Sequence, residues 1–91
     1  MTDRELLEYA AKAAGMDIEW QPCGWAHDNN TGCEWNPLTD DGDALRLAVK
    51  LSLLCDHDVQ YAPVNVWEGE DPYAATRRAI VRAAAEMGRK L

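Results

Sequence analysis

Apolar residues recur at the spacing of an α-helix in three segments of the chain, and each segment opens with a helix-start signal. In the first, Thr2 and Glu5 form a capping-box pair and Gly15 is suited to a C-terminal cap, so we predict a helix that begins at Asp3. The apolar stripe of this helix consists of Leu6, Leu7, Ala10, Ala11 and Ala14.

The second and third helical segments both begin at aspartate. Asp40 or Asp41 is the predicted cap of helix two, whose apolar residues cover so much of its circumference that we expect burial on more than one side. Asp71 caps the last helix, with Pro72 at the first helical position, and we expect Gly88 and the terminus to end it. The apolar positions are Ala44, Leu45, Leu47, Ala48, Val49, Leu51, Leu53 and Leu54 in helix two, and Tyr73, Ile80, Ala84 and Met87 in the last helix.

Alternating apolar and polar residues predict short strands between these helices. Residues 16–20 alternate in this way and Pro22 ends the segment. A second strand over Cys33–Trp35 follows the polar loop 23–32, and we expect the two strands to pair as a hairpin. Two further strands are predicted later in the chain, one with Val59 and Tyr61 and one with Val64 and Val66.

The predicted order of elements is therefore α-β-β-α-β-β-α. It indicates an α+β fold in which three helices pack in layers with a small, mostly antiparallel four-stranded sheet, and residues 1–91 form a single domain. No apolar run of about 18 residues is present, and the polar N-terminus is unlike a secretory signal. We expect an intracellular protein whose cysteines, Cys23, Cys33 and Cys55, are free thiols.

Charge is unevenly distributed along the chain. The formal net charge is −7, but residues 1–71 hold four Lys/Arg and fifteen Asp/Glu, whereas residues 72–91 hold five Lys/Arg and one Asp/Glu. Binding to duplex DNA needs a basic footprint, so we do not expect it from so acidic a chain. Attraction between the acidic part and the basic pole could promote self-association; the pole consists of Arg77, Arg78, Arg82, Arg89 and Lys90.

Three sequence phrases carry a resemblance to a known family. They are TDRELL at residues 2–7, NPLTDDGDALRL at residues 36–47 and DPYAATRRAI at residues 71–80. Together they resemble the phage ABA-sandwich family, small proteins of tailed bacteriophages and prophages named after a sheet between helical layers. The resemblance covers most of the chain, with residues 22–32 and 55–69 as its loose parts. It implies a phage or prophage origin, a location in the cytoplasm of the infected or lysogenic bacterial host, and no catalytic residues.

Two clusters could in principle hold a metal ion. Asp40, Asp41 and Asp43 surround a glycine as in a calcium loop, but the later ligands of an EF-hand are missing and helix capping explains the same residues. Thiol and imidazole groups are zinc ligands, yet no C-x-x-C pair occurs and a buried cysteine behaves as a small apolar residue. We therefore predict no metal and no cofactor; the zinc candidates are Cys23, His27, Cys33, Cys55 and His57.

Catalytic motifs are equally weak, so we predict a protein that is not an enzyme. Cys55, Asp56 and His57 hold the residue types of a nucleophilic site, but neighbours in sequence point in different directions. Ser52 falls within predicted helix two. No glycine-rich loop of the phosphate-binding type is present.

Tryptophan and acidic residues are the more informative candidates for binding. Trp25 lies in the polar loop, and it either packs over the edge of the sheet or contacts a partner. Trp67 is the second aromatic candidate. The predicted binding patch consists of Trp25, Asp17, Glu19, Asp28, Glu34 and Trp67, within a wider acidic surface of Asp56, Asp58, Glu68, Glu70 and Asp71.

The sequence therefore favours a phage accessory protein that binds and inhibits a host protein through an acidic, aromatic surface. A nucleic-acid-binding defence complex, such as a CRISPR interference complex, is the candidate target, because carboxylates can imitate phosphate charge in a basic groove. The alternative is a phage structural or assembly protein that forms a homo-oligomer. A metal-dependent enzyme at the Asp or Cys/His cluster is the third hypothesis.

Overall fold

The fold combines helix and sheet. The computed structural model describes residues 2–22, 24–29, 32–62 and 71–91, which form four α-helices and a three-stranded antiparallel sheet. The predicted fourth strand, with Val64 and Val66, lies outside the described residues. In chain order the elements are α1 (Asp3–Ala14), β1 (Ile18–Trp20), β2 (Ala26–Asp28), β3 (Glu34–Trp35), α2 (Asp41–Lys50), a 3-10 turn (Leu53–Cys55), α3 (His57–Tyr61) and α4 (Pro72–Arg89).

Local signals place the start of each long helix as predicted. The Glu5 N–H donates to the Thr2 hydroxyl at 3.2 Å and the Glu5 side chain accepts from the Thr2 N–H, which completes the capping box of α1. Asp40 is the cap of α2 and accepts from the Asp43 N–H at 2.8 Å. Asp71 caps α4 by accepting from the Tyr73 N–H at 2.9 Å.

The ends of two helices differ from the prediction. Helix α2 ends at Lys50 rather than continuing to Leu54, and Ser52 adopts a left-handed backbone with φ of 58° that a helix cannot accommodate. Gly88 is buried inside α4 and does not end it. A side chain at Gly88 would place its Cβ 1.9 Å from the backbone oxygen of Tyr9, so this glycine is required for the close approach of α1 and α4.

The sheet corrects the predicted hairpin. Strand β2 lies within the segment that the sequence predicts as a loop, and it pairs with β1 on one side and β3 on the other. Its residues, Ala26–Asp28, have weak intrinsic strand preference, so the backbone pairing to both neighbours decides its conformation. Strand β1 is also tied to α1, because the Trp20 indole N–H donates to the Glu8 carboxylate at 3.0 Å and the Arg4 guanidinium lies 4.5 Å from the centre of the indole ring.

The predicted strand at Val59 and Tyr61 is wrong, because these residues belong to α3. Asp56 precedes this helix and its side chain accepts from the Val59 N–H at 3.4 Å, while its backbone oxygen accepts from the Gln60 N–H at 2.8 Å. Such an aspartate is a helix-start signal, and it outweighs a period-two pattern that is only three residues long.

One apolar core joins the helices to the sheet. Ala26 and Trp35 place the inner face of the sheet in the same cluster as Leu7 of α1 and Val81 of α4. The predicted burial is nevertheless wrong at several apolar positions, and within α2 and α4 the reason is that these helices cover each other on one side only. The exposed residues are Leu45, Val49, Leu54, Tyr73 and Met87, and Cys33 is exposed as well.

Candidate functional site

The outer face of the sheet brings together most of the predicted binding residues. Glu19 of β1 lies opposite His27 of β2, and His27 in turn lies opposite Glu34 of β3, so the three side chains form one row across the sheet. Backbone hydrogen bonds extend the pairing of β1 and β2 in both directions. The Asn29 N–H donates to the Asp17 oxygen at 2.9 Å, and the Gln21 N–H donates to the Trp25 oxygen at 2.8 Å.

This register puts Asp17 and Trp25 on the same face as the central row, because side chains alternate along a strand. We call the set Asp17, Glu19, Trp25, His27 and Glu34 the outer sheet face. Its three carboxylate residues are exposed, and His27 is half-buried between two of them. Trp25 keeps 42% of its surface exposed, so it does not pack down fully over the sheet edge.

The chemistry of the outer sheet face is that of a cation-binding surface with an aromatic component. Adjacent strands lie about 4.8 Å apart, so Glu19 and Glu34 are separated by about 10 Å across the sheet. Trp25 is the diagonal neighbour of Glu19, and side chains in this relation can share one ligand group. An arginine or lysine side chain can therefore meet a carboxylate and an indole ring together.

Of the predicted site residues, one lies on the other face of the sheet and one lies outside the described residues. Asp28 follows His27 in β2, so its side chain lies on the opposite face of the sheet, where it lines a groove. Trp67 lies outside the described residues. His27, which the sequence predicts only as a zinc candidate, joins this surface because it lies in the middle strand, and only the strand pairing reveals that position.

The groove has a volume of about 450 Å³ and lies between the end of α1, the inner side of the sheet and α2. Asp28, Cys33 and Trp35 line it from the sheet, whereas Asp43 and Arg46 line it from α2. Arg46 already donates to Asp43 at 2.6 Å, so its charge is compensated within the protein. Glu34 and Lys50 also line the groove, so the Asp43–Arg46 pair is one part of its charged lining.

Asp43 connects α2 to the chain that leaves the sheet. Its side chain is only 12% exposed, and its two oxygens accept from the Asn36 N–H at 3.0 Å and from Arg46 at 2.6 Å. Both acceptors are used, so the carboxylate is a structural link in the groove wall.

Replacing Asp43 with asparagine should lower the free energy of unfolding by about 1–3 kcal/mol. The amide nitrogen of asparagine would face one of two donors, the Asn36 N–H or Arg46, so one donor would lose its acceptor and the bond to Arg46 would no longer join two opposite charges. Urea unfolding followed by circular dichroism measures the change. Asp41→Asn is the matched control, since Asp41 is 71% exposed and should lose less than about 1 kcal/mol. Equal losses in both variants would contradict the role of Asp43.

The three aspartates at the start of α2 all bind groups of the same molecule. Asp40 is the cap, Asp41 accepts from Arg77 at 2.6 Å, and Asp43 makes the bonds described above. Among the residues that the structure describes, no group of three or more His, Cys, Asp or Glu side chains could hold a metal ion. Of the zinc and nucleophile candidates, Cys23 and the side chains of Cys55 and His57 lie outside that part of the chain.

The predicted basic pole is largely compensated by acidic groups of the same molecule. Arg77 donates to the Leu38 oxygen at 2.9 Å and to Asp41, and its side chain is only 16% exposed. Arg78 pairs with Asp3 at 3.1 Å. Arg89 pairs with Glu86 at 2.9 Å. The C-terminal helix is therefore less able to attract the acidic face of a second copy than its sequence suggests.

No protein-family model, curated protein or solved structure matches this chain. The resemblance to the phage ABA-sandwich family thus stays a prediction from the sequence. None of the described helices is long and apolar enough to cross a membrane.

Proposed function

We propose that this protein is a non-enzymatic binding protein that captures a basic surface of a partner protein through the outer sheet face. The observation that supports the proposal is the register of the sheet, which collects Glu19, Glu34 and Asp17 beside the exposed Trp25. Residues that are distant in sequence thereby form one patch with one sign of charge.

Charge and the aromatic ring have different parts in this proposal. The net charge of −7 and the carboxylates of the outer sheet face attract a basic partner at long range and raise the rate of encounter. Trp25 then supplies apolar contact area, and tryptophan is enriched among the residues that dominate interface affinity. Because most carboxylates remain solvated, we expect affinity to fall as salt rises.

The class of partner that we propose is a host protein with a nucleic-acid-binding groove, such as a component of a defence complex. Such grooves are rich in arginine and lysine side chains that bind phosphate groups, and the carboxylates of the outer sheet face can pair with the same side chains. The phage origin of the chain rests on its sequence resemblance alone, and inhibition of the host protein follows if the bound face covers the groove.

Charge reversal on the outer sheet face should abolish partner capture. We expect Glu19→Lys/Glu34→Lys to reduce the captured partner at least tenfold, because two attractive contacts become repulsive. The immobilised protein is incubated with lysates of candidate bacterial hosts, and captured proteins are quantified by mass spectrometry at low and high salt.

The matched control is Asp3→Lys/Glu86→Lys, which changes net charge equally but alters two surface ion pairs away from the sheet. It should retain capture to within a few fold. Trp25→Ala should also weaken capture by about tenfold, which corresponds to about 1.4 kcal/mol. A partner that binds all of these variants equally would exclude the outer sheet face as its binding site.

A further inference from the structure

His27 occupies the centre of the outer sheet face. It lies in the middle strand, directly opposite Glu19 of β1 on one side and Glu34 of β3 on the other. Directly opposed residues of an antiparallel pair bring their Cβ atoms to about 5 Å, so the imidazole lies between two carboxylate groups. A change in the charge of His27 therefore acts on both carboxylates at once.

The charged groups that the strand register places beside His27 are all acidic. Glu19 and Glu34 are its direct cross-strand neighbours, and Asp17 lies on the same face, one diagonal step along β1. The opposite face of the sheet joins the core with the helices. The three carboxylates carry three negative charges, and a protonated His27 offsets one of them.

Histidine is the only side chain whose ordinary titration is centred between pH 5 and 8, whereas carboxylates stay ionised over most of that range. A protonated imidazole has two N–H donors and no acceptor, so it can donate to the carboxylates on both sides. Glu19 and Glu34 then hold the ring of His27 in place of an arginine or lysine of a partner. Protonation thus removes both the charge and the acceptors that a basic partner needs.

From this geometry we propose that the outer sheet face is a pH-dependent surface, which binds a basic partner while His27 is neutral and releases it when His27 is protonated. This inference rests on the proposed function and adds the regulation of the same site. A like charge about 5 Å from a cation of the partner lowers affinity about fourfold in water. We therefore expect affinity to fall about three- to tenfold as the pH is lowered from about 7.5 to about 5.5.

An oligoarginine peptide labelled with rhodamine is the probe for this test. Arginine stays charged at both pH values, so a change in affinity reports on the protein. Binding to the full chain is measured by fluorescence anisotropy at constant ionic strength. We expect the Kd to rise about three- to tenfold at the lower pH. His27→Gln should bind equally at both pH values, and His27→Lys should bind weakly at both, because the charge of each replacement is fixed.

His57→Gln is the matched control, because the chain contains two histidines and His57 begins α3, outside the sheet. This variant should keep the full response to pH. Circular dichroism at both pH values checks that each variant stays folded. A response that persists in His27→Gln, or that is lost in His57→Gln, would overturn the proposal.

Proton release gives a second readout that a purely structural role of His27 would not change. The proton and the bound cation affect each other reciprocally, so probe binding must lower the proton affinity of His27. Calorimetric titration at about pH 6.5, in buffers of different ionisation enthalpy, should therefore detect release of a fraction of a proton when the probe binds. His27→Gln should release none, and equal release by the two proteins would contradict the proposal.

Charge reversal separates the failure of this inference from the failure of the proposed function. If Glu19→Lys/Glu34→Lys abolishes binding of the probe but the pH has no effect, the outer sheet face is a binding surface that His27 does not regulate. If that variant binds the probe as tightly as the original protein, the outer sheet face is not the binding site and both proposals are wrong.

Discussion

Replacing Trp35 with alanine should cost about 3–5 kcal/mol of unfolding free energy, the largest loss that we expect from a single substitution in this chain. Trp35 is 5% exposed and is the large side chain through which β3 enters the core. Its removal leaves a cavity between the sheet and the helices, and β3 is too short to hold its place by backbone pairing alone. Glu34 would then leave the outer sheet face.

Urea unfolding monitored by far-UV circular dichroism measures this loss. The matched control is Trp25→Ala, the same substitution at a residue that is 42% exposed, and it should change stability by less than about 1 kcal/mol. Because a domain of this size is stable by only about 5–10 kcal/mol, Trp35→Ala is expected to populate unfolded chains at 37 °C. Equal losses at the two positions would contradict the assignment of Trp35 to the core.

Replacing Gly88 with alanine should destabilise the protein by about 2–3 kcal/mol, although alanine is the better helix former. The new Cβ would lie 1.9 Å from the backbone oxygen of Tyr9, and a backbone atom cannot rotate away as a side chain can. Helices α1 and α4 would have to separate, which opens an interface built from small residues such as Ala10, Ala84 and Ala85. The poorer packing along that interface outweighs the gain of about 1 kcal/mol in helix propensity.

Gly42→Ala is the control for Gly88→Ala, because it is the same substitution inside another helix. The nearest atoms to a Cβ at Gly42 would be side-chain atoms of Asp40 and Arg46, at 3.2 and 3.3 Å, so side chains and not backbone would have to give by a few tenths of an ångström. We therefore expect a change within about 1 kcal/mol in either direction. Thermal unfolding of both variants compares them, and a Gly88→Ala protein as stable as the original would show that α1 and α4 do not approach as closely as described.

The outer sheet face depends on the first of these stability changes. It requires all three strands to be in place, so Trp35→Ala should lower partner capture as well as stability. Capture measured below the unfolding temperature of the variant distinguishes the loss of β3 from global unfolding.

Most of what the sequence determined about this protein is local. The starts of α1, α2 and α4 were predictable because each depends on a cap and a first turn that lie within about four residues of one another. The end of α1 was predictable from the glycine cap at Gly15. The mixture of helix and sheet was predictable from the spacing of apolar residues along the chain. The acidic character of Glu19 and Glu34 required no information beyond the sequence, whereas the sequence left open whether Trp25 packs over the edge of the sheet or contacts a partner.

The tertiary structure decided the features that depend on pairing or packing between distant residues. Strand β2 exists because β1 and β3 hydrogen-bond to it on both sides, and this pairing aligned His27 with Glu19 and Glu34 and turned Asp28 to the opposite face. The exposure of Leu45 and Val49 depended on which side of α2 is covered by α4, a choice that an apolar pattern extending around most of the helix leaves open. The sequence by itself thus determined where its helices begin and which residues carry charge, since those properties are set by neighbours along the chain. Only the tertiary structure decided which of those residues share a surface, because strand register and helix contacts join residues that are far apart in sequence.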